Sequence, residues 1–222
     1  MKRLFVILLA LSFLLPIYCK AESKNGISHG VREGKRIALS FDDGPHPVFT
    51  PKLLSLLEKY GIKATFFMIG INVSRYPEVA KRVFMDGHEI GNHTYSHPHM
   101  KQLSIRALLD EVRKTETALT EIGIPQPKLF RPPEGFRSGE QVQALKNEGY
   151  QTIIWSLDTR DWEGKAAKDI ISVVIDGVKG GDILLFHDYT ARQNTTITAL
   201  EQLIPRLIKD GYEFVTVSEL MC

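Results

Sequence analysis

Two cysteines in 222 residues exclude a disulfide scaffold and any Cys-based zinc module. Charge of one sign is also lacking. The 28 Lys and Arg nearly balance the 26 Asp and Glu, for a formal +2, so no field for polyanions exists and no nucleic-acid partner is expected. With 17 Gly and 11 Pro, collagen-like and low-complexity readings fail. No Gly-rich dinucleotide fingerprint follows any strand-like run, which argues against a Rossmann-type cofactor domain. What remains is 43% hydrophobic and 24% charged, an ordinary single domain long enough to bury a substantial core.

The N-terminus stands apart. Lys2 and Arg3 precede a 15-residue apolar run, Leu4 to Tyr18, followed by Cys19-Lys20-Ala21. A charged start, an apolar centre and small residues at Cys19 and Ala21 describe a secretory signal peptide cleaved after Ala21. The run is shorter than the roughly 20 residues of a spanning helix. Cleavage over a retained anchor therefore gives an exported protein, secreted or in the cell envelope, with no stable membrane span. Cys19 is an alternative lipidation site, although the bulky Tyr18 before it makes a poor acceptor motif. Cleavage leaves 201 residues at about −1, with Cys222 as the only cysteine and no intramolecular disulfide.

Residues 22–34 read as a lead-in, and residues 35–222 as one domain. Seven apolar runs predict strands: Arg36–Phe41, Ala64–Ile69, His88–Gly91, Lys128–Arg131, Gln151–Leu157, Asp182–Phe186 and Glu213–Val217. Helical patterns lie between them. The first has Thr50 as N-cap, Pro51 at the first helical position and Gly61 as stop. Others span Pro77–Asp86, Ser104–Ile122, Ser138–Asn147, Ala167–Val178 and Thr195–Asp210. Strands alternating with helices predict a parallel α/β architecture, an incomplete β/α barrel rather than an open doubly wound sheet.

In such a fold the C-terminal ends of strands carry chemistry. The first ends in Asp42-Asp43-Gly44-Pro45-His46, two carboxylates before a turn, which is a reactive pair or a solvated turn. The third leads into His93-Thr94-Tyr95-Ser96-His97. Two histidines at i and i+4 on one face of a helical turn bind a common metal, unless this is a polar loop with His99 beside it. Asp43 or Asp42 is the natural third ligand, leaving an open position for water. The fourth ends in Arg131-Pro132-Pro133-Glu134-Gly135, where Arg131 suits a carboxylate partner. Later segments add Trp155, the run Asp158-Thr159-Arg160-Asp161-Trp162, and Leu185-Phe186-His187. Beside a metal and carboxylates, His187 is a candidate general acid.

These five segments, in this order and spanning about Lys35 to Leu220, resemble the polysaccharide deacetylases, the carbohydrate esterases that share the NodB homology domain. The resemblance implies a distorted (β/α)7 barrel forming a single catalytic domain, matching the seven strands counted from the runs. It implies a divalent metal, usually zinc, on Asp43, His93 and His97. Asp42 corresponds to the base that deprotonates the attacking water, Arg131 to the residue that orients it, and His187 to the acid that protonates the leaving amine, paired with Asp161. The Glu134 N–H corresponds to an oxyanion donor, and Trp155 and Leu185 to the wall around the acetyl methyl group. Family members commonly carry Tyr where this chain has Glu134, a difference that bears on substrate rather than on chemistry. The implied reaction is removal of N-acetyl groups from peptidoglycan or chitin-type oligosaccharides. The alternatives are O-deacetylation of acetyl-xylan at the same site and, less favoured because all five reactive side chains are present, a non-catalytic carbohydrate-binding protein.

Overall fold

The computed structural model describes residues 25–189 and 195–222. Residues 1–24, which include the segment 1–21 expected to be a signal peptide, lie outside the described residues. The order is β1 (Arg36–Asp42), α1 (Phe49–Lys59), β2 (Thr65–Met68), α2 (Gly70–Arg75), α3 (Pro77–Met85), β3 (Glu89–Asn92), α4 (Ile105–Thr120) and β4 (Leu129–Phe130). It continues through α5 (Gly139–Asn147), β5 (Gln151–Thr152), β6 (Leu157–Asp158), α6 (Ala167–Gly177), β7 (Ile183–His187), α7 (Thr195–Lys209), β8 (Glu213–Phe214) and α8 (Val217–Met221).

All strand pairs are parallel, in the order β5-β4-β3-β2-β1-β7-β6, with β8 on β1. The two ends of this path are consecutive in sequence, so the sheet curls round on itself through residues 153–156. This is the distorted seven-position β/α barrel. The single predicted strand 151–157 is divided into two strands. Its first part pairs with β4 and its last with β7, and no straight strand reaches both neighbours. Ile27 spans part of the seam, donating to the Thr152 carbonyl at 2.8 Å and accepting from Ile154 at 2.7 Å.

Alternation in β1 explains both faces of the wall. Phe41 is in register with Phe66 on β2 and Phe186 on β7, at ring separations of 5.1 and 5.8 Å. These rings pack outward with Leu53, Leu54 and Leu57 of α1 and Leu200 and Leu203 of α7. Each such side chain contributes about 1.5–3 kcal/mol by leaving water. The intervening Ser40 and Asp42 point the other way and are also buried. The barrel interior is therefore apolar below, with Ala38, Phe67, Leu129 and Ile183, and polar at the C-terminal rim.

Local signals explain most helix starts. Ser104 accepts from Ala107 N–H, and Ser138 forms a capping box with Gln141, as N-cap hydroxyls do. Thr50 does not cap α1, which begins one residue earlier. Its role falls to the His46 ring, whose Nδ1 accepts from Val48 and Phe49 N–H at 3.1 and 3.3 Å. The last predicted strand stops at Phe214, because Thr216 forms a capping box with Glu219 and starts α8 instead. Cys19, the only cysteine besides Cys222, lies outside the described residues. No helix among the described residues is long and apolar enough to cross a membrane.

Candidate active site

Asp42 ends β1 and Asp43 begins the turn after it. Adjacent strand residues point to opposite faces, but Asp43 has φ +77°, a left-handed conformation that is costly for a non-glycine residue and recurs at functional sites. That rotation, starting before the Gly-Pro pair, brings both carboxylates to one cleft. The turn is held from outside: Asn72 Nδ2 donates to the Asp43 carbonyl at 2.8 Å, and Ile69 N–H to that of Gly44 at 2.9 Å.

His93 and His97 follow β3, but not on a helical turn as their spacing suggests. The segment is an irregular loop, with Thr94 at φ +67° and His97 at φ +53°. Glu111 of α4 shapes it by accepting from Tyr95 and Ser96 N–H at 3.0 and 2.7 Å. The two Nε2 atoms lie 3.5 Å (His93) and 3.4 Å (His97) from Asp43 Oδ1. Ligands about 2.1 Å from a tetrahedral ion are separated by about 3.4 Å, so this spacing suits a divalent cation.

Two further observations fit the same group. Asp43 Oδ1 is buried with no hydrogen-bond partner, a costly state unless a cation satisfies it. His93 Nδ1 lies 2.7 Å from the Arg131 carbonyl, which fixes the proton on Nδ1 and leaves the Nε2 lone pair towards Asp43. Burial pushes His93 below its ordinary pKa despite the opposing charges of Asp42 and Asp43, which favours the neutral ligand form.

Arg131 lies fully buried under Asp42. It donates at 2.8 Å to both Asp42 Oδ1 and Ser40 Oγ, and its guanidinium sits 4.0 Å from the Phe67 ring centre. Burial lowers its pKa, while Asp42 opposes that change. The other carboxylate oxygen, Asp42 Oδ2, lies 3.8 Å from His93 Nε2.

Across the cleft, His187 ends β7. Its Nδ1 is 2.8 Å from Asp161 Oδ1, and Asp161 Oδ2 accepts from His187 N–H and Thr196 Oγ1 at 2.9 and 2.8 Å. Burial pulls the His187 pKa down. The hydrogen bond and charge of Asp161, with Asp42 and Asp43 behind it, outweigh this and push it up to about 9. Its neighbour Asp188 is buried, accepts from Thr50 Oγ1 and has burial pushing it up to about 7.

The cleft has a volume of about 510 Å³, and Asp42, Asp43, His93, His97 and His187 lie along it with Glu134, Trp155 and Leu185. Arg131 and Asp161 sit behind this lining, in contact with Asp42 and His187. Glu134 has φ +56°, and its side chain turns outward to His99, 2.8 Å away. Gly135 follows at φ +67°, so close to Trp155 that a Cβ would lie 2.6 Å from the indole; only glycine suits both conditions. His46 covers its turn and stacks on Tyr189 at 4.8 Å; it is not among the residues lining the cleft. Asp158 and Trp162 also line it. Both stand in the segment Asp158 to Trp162, and its place just past the end of β6 is the signal in the sequence that marks them.

Comparison with known proteins gives a consistent result. A family model for polysaccharide deacetylases matches residues 29–153. A peptidoglycan-N-acetylglucosamine deacetylase of Bacillus cereus is 43% identical over 189 residues, covering 84% of this chain and 88% of that protein. A chitooligosaccharide deacetylase of Bradyrhizobium sp. is 31% identical over 219 residues, covering 93% and 98%. A crystal structure of a peptidoglycan N-acetylglucosamine deacetylase superposes with a TM-score of 0.85 at 34% identity, covering 88% of this chain and 92% of that one.

Proposed function

The chain belongs to the polysaccharide deacetylase family, and we propose that it is a metal-dependent hydrolase removing N-acetyl groups from amino-sugar polymers, peptidoglycan or chitin-type oligosaccharides. The observation that carries this reading is the unpartnered Asp43 Oδ1 facing two histidine Nε2 atoms, with Asp42 on one side and His187 across the cleft.

Asp43, His93 and His97 would hold the ion, most simply Zn2+. Bound there, such an ion supplies Lewis acidity, lowering the pKa of water and polarising the acetyl carbonyl. Asp42 takes the proton of the attacking water. Arg131 holds one of its oxygens, leaving the other free to act as base. Water oxygen bonds to the acetyl carbon, and the Glu134 N–H is the natural donor to the developing oxyanion. His187, protonated because of Asp161, gives its proton to the sugar nitrogen as the C–N bond breaks. The products are acetate and a free amine. Trp155 and Leu185 offer apolar surface to the methyl group, a size filter against larger acyl chains.

The apolar run behind Lys2 and Arg3 supports export, so we place the activity outside the cytoplasm; mass spectrometry of the N-terminus in the extracytoplasmic fraction tests this. The reaction is tested by acetate release from chitooligosaccharides and peptidoglycan fragments, with and without chelator. Asp42→Asn is expected to lower kcat by about 10²–10⁴-fold. Undiminished turnover in that variant, or after complete metal removal, would refute the mechanism.

A further inference from the structure

Asp188 is a buried carboxyl that the proposed reaction does not use. It is 5% exposed and stands next to His187 at the end of β7. Its Oδ2 accepts from Thr50 Oγ1, while its Oδ1 is buried without a hydrogen-bond partner. Its backbone N–H donates to the Asp42 carbonyl at 3.2 Å. Thr50 Oγ1 in turn accepts from His46 N–H at 2.8 Å. The carboxyl group is pressed against Gly44, where a Cβ would lie 2.0 Å from Oδ2. Asp188 and Thr50 thus contact residues 42, 44 and 46, in addition to the contacts that Asn72 and Ile69 make with Asp43 and Gly44.

We infer that Asp188 is a positioning residue for the metal-binding turn: with Thr50 it braces Gly44 and His46, and so keeps Asp43 in the left-handed conformation that carries its carboxylate to His93 and His97. A left-handed aspartate relaxes to an ordinary conformation unless its surroundings over-determine it. Relaxation would return Asp43 to the side opposite Asp42 and open the triad. Outer contacts of this kind are typically worth 10–100-fold in metal affinity. Space decides the contact, since Gly44 has room only for its hydrogen, so the shape of the Asp188 group matters more than its charge.

The inference rests on the triad proposed above, and its test separates the two. Zn2+ dissociation constants are measured by chelator competition, and the visible absorption of the Co2+-loaded protein reports ligand geometry. His97→Ala serves as control: if it binds Zn2+ as tightly as the unaltered chain, the triad itself is wrong. If His97→Ala abolishes binding, the variants of the brace are decisive. Asp188→Ala and Thr50→Val are each expected to weaken Zn2+ 10–100-fold and to alter the Co2+ spectrum, while the isosteric Asp188→Asn stays within threefold. Should Asp188→Ala fail to fold, Thr50→Val and Asp188→Asn carry the test. Affinity within threefold and an unchanged Co2+ spectrum in folded Asp188→Ala or Thr50→Val overturn the inference. A 10–100-fold loss in Asp188→Asn overturns it as well, because charge rather than shape would then be responsible.

Discussion

Replacing Asp161 with Asn removes the charge that keeps His187 protonated and leaves nearly the same volume. Asp161 is wholly buried and accepts from His187 Nδ1, His187 N–H and Thr196 Oγ1. The gap between the ordinary 6.5 and the value of about 9 for His187 corresponds to about 3.4 kcal/mol in favour of the imidazolium. Without the carboxylate, burial dominates, and the His187 pKa is expected to fall to 6.5 or below. At pH 7.5 the protonated fraction then drops from nearly all to about a tenth or less, and the alkaline limb of kcat/KM moves to lower pH. The stability effect has a definite sign. A raised folded-state pKa stabilises fully below about 6.5 and loses that contribution as pH rises through about 9. The deficit of Asp161→Asn in urea unfolding is thus largest near pH 6 and shrinks towards pH 9. The pKa is read by histidine NMR in chelated protein, because a nearby cation would itself lower it. A His187 titration near 9 in Asp161→Asn, or near 6.5 in the unaltered chain, would refute the reasoning.

Other perturbations follow from the same geometry. Arg131→Met leaves Asp42 buried without its cation and is expected to cost about 3–5 kcal/mol; a urea-unfolding change under 1 kcal/mol would contradict the buried pair. Lysine at this position restores charge but not the second nitrogen, Nη2, that donates to the Ile154 carbonyl at 3.3 Å while Nη1 serves Asp42 and Ser40, so it should recover only part of the loss. Zn2+ at 100 times its dissociation constant is expected to add about 2.7 kcal/mol, or roughly 5–11 °C in Tm, an increment absent in chelator and in His97→Ala. His187→Ala should lose more activity on N-acetylated substrates than on O-acetyl esters, because an amine leaves poorly without a proton and an alkoxide less so. Equal losses on both would remove His187 from the acid role.

The residues of the cleft were legible because chemistry at the end of a parallel strand is concentrated into short segments. Asp42-Asp43, His93 to His97, Arg131 to Gly135 and Leu185 to His187 each sit within a few residues of an apolar run, so pattern and site coincide. Asp188 and Thr50 were not legible as partners, since 138 positions separate them in the chain. Asp158 and Trp162 follow a strand end as the other cleft residues do, yet only the curvature of the sheet shows that they face the same cleft as Asp42.

By itself, the sequence determined the parallel α/β class, the strand order in the chain, the caps at Ser104 and Ser138, and which residue types meet at the rim. These depend on hydrophobic period and local hydrogen bonding, which neighbours in the chain control. Tertiary structure decided the rest. Residues 151–158 serve two strands rather than one, because closing the wall requires one segment to pair with both β4 and β7. The two histidines converge through left-handed Thr94 and His97 rather than through helical spacing. Asp43 joins Asp42 in one cleft only because distant groups hold its backbone at φ +77°. Each of these is a conformation that local preference disfavours and long-range contacts enforce, which no pattern of neighbouring residues encodes.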